Sequence, residues 1–326
     1  MKEKIIVTGG SGFIGTNLIE ELIRQGYEVI NIDIKEPQIK TRNNVWKQVD
    51  IKDLENLRKI FRDFSPKYVI HLAARTDLTG KRIEDYSSNT IGVENVLKCC
   101  LELESLEKVV VTSSMLVCKT GYYPKNQYDY APSTLYGKSK VISEENVWKI
   151  KPNCDWAIIR PTSIWGPWFD VPYRNFFDMV INKRYFHIGN KSCTKTYGYI
   201  GNAVYQIIRI MFSDTRDENN KVFYIGDYKE TNIEEWANEI AEEIGYKILR
   251  VPYWVMKCAA CLGDMLQGVG MSFPMTSFRL KNMTTNNVID LQNTEKIVGK
   301  IPYTRRYGIK QTLKWMKKKN SKDEEQ

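Results

Sequence analysis

The stretch KEKIIVTGGSGFIGTNLIEELIRQGYEVINID, residues 2–33, decides the fold of this chain. It opens with a short β-branched run that ends in glycines and continues with apolar residues at helical spacing. It closes with a second apolar run that ends at Asp33. Strand, glycine turn, helix and strand in this order predict a βαβ unit with parallel strands.

The glycines of this stretch predict a dinucleotide site. Gly9, Gly12 and Gly15 recur at three-residue spacing, and Gly10-x-Gly12-x-x-Gly15 gives a second version of the pattern. Glycine permits close approach of the backbone, and the helix that follows presents free N–H groups to a pyrophosphate. A carboxylate at the end of the next strand, here Asp33, binds ribose hydroxyls and repels a 2′-phosphate. The pattern therefore predicts NAD and disfavours NADP.

Helix and strand patterns continue to alternate as far as residue 114. Residues 67–74 and 108–114 are nearly continuous apolar runs, which is typical of strands that are covered on both faces. This alternation predicts an α/β fold with a parallel sheet, on which ligands lie at the carboxyl ends of the strands.

TLYGKSK, residues 134–140, places Tyr136 and Lys140 one turn apart on a helix that is predicted to start at 132–133. The preceding strand ends at Ser114, so a hydroxyl, a phenol and an ammonium are expected to converge. A phenol is a poor base at neutral pH. A neighbouring ammonium and a positive nicotinamide ring would lower its pKa and let it take a proton from a sugar hydroxyl.

Composition is that of an ordinary globular protein: of 326 residues, 42% are hydrophobic and 27% are charged. The net charge is +9, and lysines clustered at 314–322 are interpreted as part of a solvated tail. No array of basic and aromatic residues resembles a nucleic-acid module, so no nucleic-acid partner is expected. No run of about 20 apolar residues is present, so no membrane partner is expected either.

The seven cysteines are scattered, and the start of the chain has no features of an export signal. We therefore expect free thiols and a cytoplasmic protein. Cys258-x-x-Cys261 has the spacing of a redox or zinc fragment, but no second pair and no histidine lies near it in the sequence. A packed helical face is the preferred interpretation, and no metal site is predicted.

Several short motifs occur along the chain in an order that is typical of one protein family. The motifs are TGGSGFIG at 8–15, Asp33, DI at 50–51, HLAA at 71–74, N-x-x-G-x-x-N at 89–95, TSS at 112–114, YGKSK at 136–140 and RPTSIWGPW at 160–168. Together they resemble the extended short-chain dehydrogenase/reductase family, in its NAD-dependent nucleotide-sugar epimerase/dehydratase branch. The resemblance is strong through residue 168 and diffuse beyond it.

Matched by position, the resemblance implies a catalytic triad of Ser114, Tyr136 and Lys140. It also implies a set of residues that contact NAD: Gly9, Gly12, Phe13, Ile14, Gly15, Asp33, Asp50, Ile51, Leu72, Ala73, Ala74, Asn89, Thr112, Tyr136, Lys140, Pro161 and Thr162. Asp50 and Ile51 are expected beside the adenine. The candidates for substrate contacts are Thr76, Ser114, Ser163, Lys195 and Arg279.

Departures from the family pattern narrow the reaction. The resemblance implies that sugar 4,6-dehydratases of the family carry two acidic residues directly after the hydroxyl residue. This chain has Met115 and Leu116 at those positions. Neither side chain can move a proton, so dehydration is disfavoured. Cys118 is interpreted as a packing residue. A reactive Cys118 would instead indicate 3,5-epimerisation. Later in the chain, Gly201-Asn202 replaces the acid pair of many relatives.

The resemblance implies a complete α/β architecture: a Rossmann-type doubly wound parallel sheet with a smaller, mostly helical C-terminal substrate domain. The NAD-binding domain is expected at 1–165, with a return segment near 195–227. The substrate-binding part is expected at 166–194 and 228–316. Residues 317–326 are expected to form a disordered tail.

These features favour an NAD-dependent nucleotide-sugar epimerase that acts at C4 by transient hydride transfer. An NAD(P)H-dependent reductase of a 4-keto nucleotide sugar uses the same triad and stays open, as does a steroid or small-carbonyl dehydrogenase. A dinucleotide-sensing protein without activity is disfavoured by the intact triad. The resemblance also implies a homodimer through the helices at about 89–104 and 135–150.

Overall fold

The computed structural model of the chain describes residues 2–171, 173–190, 193–268, 270–271, 273 and 275–323. Its strands there are β1 Lys4–Thr8, β2 Glu28–Asp33, β3 Trp46–Gln48, β4 Tyr68–His71, β5 Lys108–Thr112, β6 Asp155–Pro161, β7 Ser163–Trp165, β8 His187–Ile188, β9 Thr194–Lys195, β10 Tyr197–Tyr199, β11 Val222–Ile225, β12 Thr231–Asn232 and β13 Arg250–Val251. Its helices are α1 Phe13–Arg24, α2 Leu54–Phe64, α3 Ser87–Leu101, α4 Leu135–Ile150, α5 Tyr173–Ile181, α6 Ile200–Phe212, α7 Ile233–Ile244, α8 Tyr253–Gly268, α9 Ser277–Thr284, α10 Gln292–Val298 and α11 Arg305–Asp323.

Seven strands form one sheet in the order β3-β2-β1-β4-β5-β6-β11. All neighbours in this sheet pair in parallel. The strand order reverses between β1 and β4, so the carboxyl ends of these strands flank the crevice where doubly wound sheets bind ligands. The predicted α/β fold with a Rossmann-type parallel sheet is confirmed.

Both faces of this sheet are buried, which explains why its strands are continuous apolar runs. Alternate residues of a strand point to opposite faces. Val7 and Val110 pack in one apolar cluster with helices α1 and α6. Ile6 and Val109 pack in a second cluster with helices α2 and α3.

Helix α4, which carries the Tyr–Lys pair, begins at Leu135 and not at 132–133, so this detail of the sequence prediction is wrong. The Thr134 hydroxyl accepts a hydrogen bond from Gly137 N at 2.9 Å and caps the helix. Ala131 forms an isolated β-bridge just before it. The chain therefore enters α4 from an extended conformation.

A smaller region of helices and short strand pairs follows the sixth strand of the sheet. In it β7 pairs with β10, β9 with β12, and β8 with β13. Helix α6 packs against α1, and β11 joins the main sheet beside β6. These last two elements lie within the predicted return segment at 195–227. Helices α8 and α9 pack on each other around Met256, Ala260 and Leu280.

Helix α11 extends to Asp323 and so overlaps the tail from residue 317, whose disorder stays a prediction. Residues 324–326 lie outside the described part of the chain. Lysine favours helix, and the Lys319 ammonium lies 5.5 Å from the centre of the Trp315 ring. Both effects stabilise the added turns.

Cys258 and Cys261 are exposed free thiols, so the expected packed face at this motif is also wrong. The reason is that another side of α8, which carries Met256 and Ala260, faces the protein. Within the described ranges, no group of three or more His, Cys, Asp or Glu side chains could hold a metal ion. No helix in those ranges combines the length and apolar character that crossing a bilayer requires.

Candidate active site

The glycine loop between β1 and α1 leaves no room for side chains. A Cβ on Gly9 would lie 2.4 Å from Ala73 N, and a Cβ on Gly15 would lie 2.3 Å from Gly9 O. Gly9 also has a φ of +75°, which favours glycine. Gly12 caps α1, and a Cβ there would meet Gly9 O alone, at 3.3 Å. The open N-terminus of α1 is therefore a cradle that fits a pyrophosphate.

Asp33 ends β2 directly beside this loop. Its carboxylate accepts hydrogen bonds from Ser11 N at 3.0 Å and from Lys35 N at 2.9 Å. These bonds fix a half-exposed carboxylate next to the cradle, where the ribose of a dinucleotide would lie. Phe13 and Ile14 form the first turn of α1 and are half-buried.

The predicted adenine contacts follow β3. Ile51 is buried, and Asn95 donates a hydrogen bond to Ile51 O at 3.1 Å. Gly92 lets α3 approach, because a Cβ there would lie 2.4 Å from Ile51 Cδ1. Asp50 is half-buried and forms an ion pair with Lys52 at 3.3 Å. The structure thus fixes Ile51 from α3 and leaves Asp50 accessible.

The half-buried segment 72–75 leaves the end of β4 beside the glycine loop. Asn89 holds it: its side chain accepts from Arg75 N at 2.8 Å and donates to Arg75 O at 2.9 Å. Asn89 also donates to Ser139 Oγ on α4 at 2.9 Å. Its hydrogen bonds are thus made to the protein, and Asn89 acts as a positioning residue. The segment contains the predicted cofactor contacts Leu72, Ala73 and Ala74.

Ser114, Tyr136 and Lys140 meet at the carboxyl end of β5. Ser114 caps the short turn that follows this strand, and its hydroxyl accepts from Leu116 N at 3.1 Å. It also lies close enough to the Tyr136 phenol to lower the pKa of that residue. Lys140 is buried and donates from Nζ to Thr112 O at 2.8 Å. The sheet and α4 thus bring together three side chains that lie in separate sequence motifs.

Burial dominates the electrostatics of the triad. It raises the pKa of Tyr136 to about 12, against the opposing effect of the nearby Ser114 hydroxyl. It lowers the pKa of Lys140 to about 8, although the Glu144 carboxylate favours the ammonium. It also lowers the pKa of His71 to about 3, together with the charge of Lys140, so this imidazole is neutral. In the protein alone, burial therefore outweighs the predicted lowering of the Tyr136 pKa.

Buried polar atoms without a partner cluster at the same end of the sheet. Thr112 Oγ1, Ser113 Oγ and His71 Nε2 have no hydrogen-bond partner among the described residues. Buried polar groups in folded proteins are normally paired. Unpaired hydroxyls beside the triad can form hydrogen bonds with a polar ligand. The residues present therefore fit both NAD and a hydroxylated substrate.

Tyr173, at the start of α5, is a site residue that the sequence reasoning missed. It lies close enough to Ser163 for that hydroxyl to lower the Tyr173 pKa, and close enough to Tyr136 to raise the pKa of Tyr136. Burial raises the pKa of Tyr173 itself. Tyr86 packs on Tyr136 with ring centroids 6.2 Å apart. The position of Tyr173 shortly after RPTSIWGPW is the signal that could have found it.

Pro161 and Thr162 lie at the end of β6, on the way from the sheet to Ser163. Thr162 donates its hydroxyl to Ile225 O at 2.8 Å, and its backbone N donates to the same oxygen at 2.9 Å. Its hydroxyl therefore joins β6 to β11. Of residues 161–163, Ser163 is the one that the structure links to the triad. It lies beside Tyr173, which in turn lies near Tyr136.

The other predicted substrate contacts lie further along the chain. Lys195 is half-buried in β9, and burial lowers its pKa. Arg279 is exposed on α9, and Thr76 is exposed just after the 72–75 segment. No described hydrogen bond joins these three side chains to the triad, so their roles stay predictions.

Cys118 is buried beyond Ser114 and donates from Sγ to Asp129 O at 3.5 Å. Burial raises the pKa of its thiol, which disfavours the reactive thiolate and favours packing. A cavity of about 470 Å³ adjoins it, with Met115, Tyr122 and Arg160 in its wall. No triad residue lines this cavity, so it is separate from the triad.

Comparison with known sequences agrees with this geometry. The pattern of the NAD dependent epimerase/dehydratase family matches residues 5–226. The chain belongs to this family. Members of the NAD dependent epimerase/dehydratase family use NAD, and this protein is an enzyme of that family.

Two curated relatives show the range of the family. The chain is 24% identical to N-acetyl-alpha-D-glucosaminyl-diphospho-ditrans,octacis-undecaprenol 4-epimerase of Escherichia coli O157:H7, over 97% of this chain and 96% of the relative. It is 27% identical to the decarboxylating sterol-4-alpha-carboxylate 3-dehydrogenase of Mus musculus, over 81% of this chain and 75% of the relative.

Solved structures with the same fold include two epimerases. UDP-glucose 4-epimerase of Thermotoga maritima with UDP-glucose matches with a TM-score of 0.73 at 20% identity, covering 97% of this chain and 99% of that one. UDP-glucuronic acid 4-epimerase of Bacillus cereus with NAD matches with a TM-score of 0.72 at 18% identity, covering 96% of each. At these identities the likeness shows the fold alone.

Proposed function

We propose that this protein is an NAD-dependent epimerase that inverts C4 of a nucleotide-linked sugar. The observation that carries the proposal is the meeting of Ser114, Tyr136 and Lys140 at the carboxyl end of β5, in the same sheet edge as the glycine cradle. The names of the relatives support it, since several are 4-epimerases of diphosphate-linked sugars.

We propose NAD as the cofactor because the residues of the cradle fit it. Gly9, Gly12 and Gly15 leave the N-terminus of α1 open to a pyrophosphate. Asp33 offers a carboxylate to the ribose hydroxyls and would repel a 2′-phosphate. When bound, NAD accepts a hydride from the sugar carbon and later returns it.

Tyr136 exchanges the proton of the sugar hydroxyl in this mechanism. With a pKa of about 12 it is protonated in the protein alone, so it becomes a base only when positive charge is added beside it. Lys140, held on Thr112 O, is already present in the protein alone, so the added charge would have to come with the bound cofactor. Ser114 lies beside the phenol and would bind the same substrate oxygen.

The segment after Ser114 favours inversion over loss of water. Elimination needs an acid or base next to the reacting carbons, and Met115, Leu116 and the buried Cys118 thiol supply neither. Inversion at C4 needs proton exchange at one oxygen, which Tyr136 alone can perform. Tyr173 and Ser163 then form a polar wall against which the sugar can be oriented.

The test is to incubate the purified protein with UDP-, GDP-, dTDP- and CDP-sugars and to follow the products by NMR. One set contains catalytic NAD⁺ and the other contains excess NADH. An isomeric sugar formed with catalytic NAD⁺ is the expected result. Absence of an isomer in both sets, with all four nucleotides and the common hexoses, would overturn the proposal. A parallel reaction with Tyr136→Phe shows that any product comes from this chain.

A second candidate is a dehydrogenase that releases its keto product. The observation that favours it is the 27% identity to the sterol dehydrogenase of Mus musculus. Stoichiometric reduction of NAD⁺ by a hydroxysterol or a small secondary alcohol, with release of the ketone, would favour this dehydrogenase over the epimerase. Stoichiometric oxidation of NADH by a 4-keto nucleotide sugar would instead identify a reductase.

We also propose a homodimer through α3 and α4. These helices pack against each other, and Ile91 is an exposed apolar residue on α3. We expect light scattering at micromolar concentration to give twice the mass of one chain, and Ile91→Glu to shift the protein toward monomer. A monomeric wild-type protein would contradict this prediction.

A further inference from the structure

Helix α8 carries an apolar face that points away from the protein. Trp254, Cys258, Cys261, Leu262 and Met265 follow each other at spacings of three, four or one residues, so they share one side of the helix. We call these five residues the α8 stripe. Every member of the α8 stripe is exposed.

The orientation of α8 is fixed by its other side. Met256 and Ala260 are buried against Leu280 of α9. Gly263 lies against the chain that leads to α9, where a Cβ would come within 1.8 Å of Met275 O. Because this contact has no room for a side chain, α8 cannot rotate to bury the α8 stripe.

The exposure of the α8 stripe is large for residues of this kind. Trp254 is 69% exposed, Leu262 51% and Met265 71%. Leu249 precedes the helix and Met271 follows it, and both are also exposed. Contiguous apolar patches of this kind mark sites that bind a partner or a membrane.

The charges of the segment that contains α8 favour an anionic partner. Between residues 245 and 283 the chain has five basic residues and one acid, and one of the five, Arg250, forms an ion pair with Glu234. The acid, Asp264, accepts a hydrogen bond from Ser277 N. Lys247, Lys257 and Lys281 are exposed. Two copies of this face would bring like charges together, whereas an anionic surface complements them.

We propose that the α8 stripe docks this protein on the surface of an anionic phospholipid bilayer. Helix α8 has 16 residues and is interrupted by Lys257 and Asp264, so it lies in the interface and does not span the membrane. Trp254 is suited to the boundary between headgroups and acyl chains. The proposal departs from the expectation from the sequence that no membrane is a partner, which stays untested, and it does not depend on the sugar or the reaction.

The test measures co-sedimentation of the full chain with vesicles of phosphatidylglycerol and phosphatidylcholine. Wild-type protein is expected to bind, with weaker binding in salt and to phosphatidylcholine alone. The triple variant Trp254→Ser, Leu262→Ser, Met265→Ser is expected to bind at least about tenfold more weakly. The matched control is Leu78→Ser with Tyr123→Ser, which removes side chains that are 60% and 70% exposed elsewhere. This control is expected to bind like wild type.

Insertion is read directly from tryptophan fluorescence with brominated lipids. Wild-type emission is expected to be quenched, and Trp254→Ser is expected to lose the quenching while its thermal unfolding matches wild type. Failure of the wild type to sediment with anionic vesicles would overturn the proposal. So would equal binding by the triple variant and the control. A wild-type oligomer that the triple variant dissociates, without vesicle binding, would assign the α8 stripe to a second copy instead.

Discussion

The sheet end that carries the triad and the helix α8 dispose their side chains in opposite ways. At the sheet end a lysine and several hydroxyls are buried, among them Lys140 and Thr112. On α8 the large apolar side chains Trp254 and Met265 are exposed. Both arrangements cost free energy in the isolated protein. Each therefore points to something that binds there: a polar ligand at the sheet end and an apolar, anionic surface at α8.

The comparison implies that chemistry and attachment are separable. The triad lies on the rigid sheet and α4, whereas the α8 stripe belongs to a helix that packs around Met256, Ala260 and Leu280. Changes at the sheet end should abolish turnover and leave vesicle binding intact. The following variants test that separation, from the largest expected effect to the smallest.

Tyr136→Phe is expected to have the largest effect. Loss of the proton acceptor should lower kcat by roughly 10²- to 10⁴-fold, measured by NMR with the sugar that the panel identifies. The matched control is Tyr122→Phe, which removes a hydroxyl bonded to Asp129 away from the triad. Turnover of Tyr136→Phe close to wild type would refute the mechanism.

Lys140→Met is expected to weaken both turnover and cofactor binding. It removes the ammonium that lies on Thr112 O, and we expect kcat to fall by about 10²-fold and the Kd for NAD to rise, measured by calorimetry. Lys138→Met is the control, because Lys138 is exposed on the same helix. Equal behaviour of the two variants would show that Lys140 has no special role.

Gly15→Ala tests whether NAD binding at the cradle is independent of vesicle binding through α8. A Cβ at Gly15 would lie 2.3 Å from Gly9 O, so the loop must move, and we expect about tenfold weaker NAD binding by calorimetry. Gly268→Ala, at the end of α8, has nothing within 4 Å and should bind NAD normally. Vesicle binding should be unchanged in Gly15→Ala. A parallel loss of NAD and vesicle binding would break the separation.

The last prediction concerns Asp227 and the stability of the fold, and not turnover or binding. Burial raises its pKa to about 6, so the folded protein holds this proton more tightly than the unfolded chain. Its contribution to stability is present below its usual pKa of 3.8 and is lost as pH rises through about 6. Relative to Asp227→Asn, the wild type should gain up to about 3 kcal/mol in free energy of unfolding between pH 7 and pH 4, measured by urea unfolding. A constant difference would contradict this.

Much of the fold and the triad followed from local patterns. The β1–α1–β2 unit was predictable because glycine spacing and apolar periodicity report backbone requirements within about thirty residues. Ser114, Tyr136 and Lys140 were predictable because parallel strands bring their carboxyl ends to one edge. The predicted start of α4 was two to three residues too early. Pro132 and Ser133 also have the character of a helix start, but Thr134 is the residue that caps the helix, and the chain before it is extended.

The sequence by itself determined the parallel sheet and the glycine cradle, since each depends on residues close in the chain, and it predicted that Ser114, Tyr136 and Lys140 lie together. Tertiary structure alone decided which side of α8 is buried, because Met275 and Leu280 occupy one face and leave Trp254 outside. It also decided that Tyr173 lies near Tyr136 and that burial raises the Tyr136 pKa. Burial depends on contacts between distant segments, and no local pattern records them.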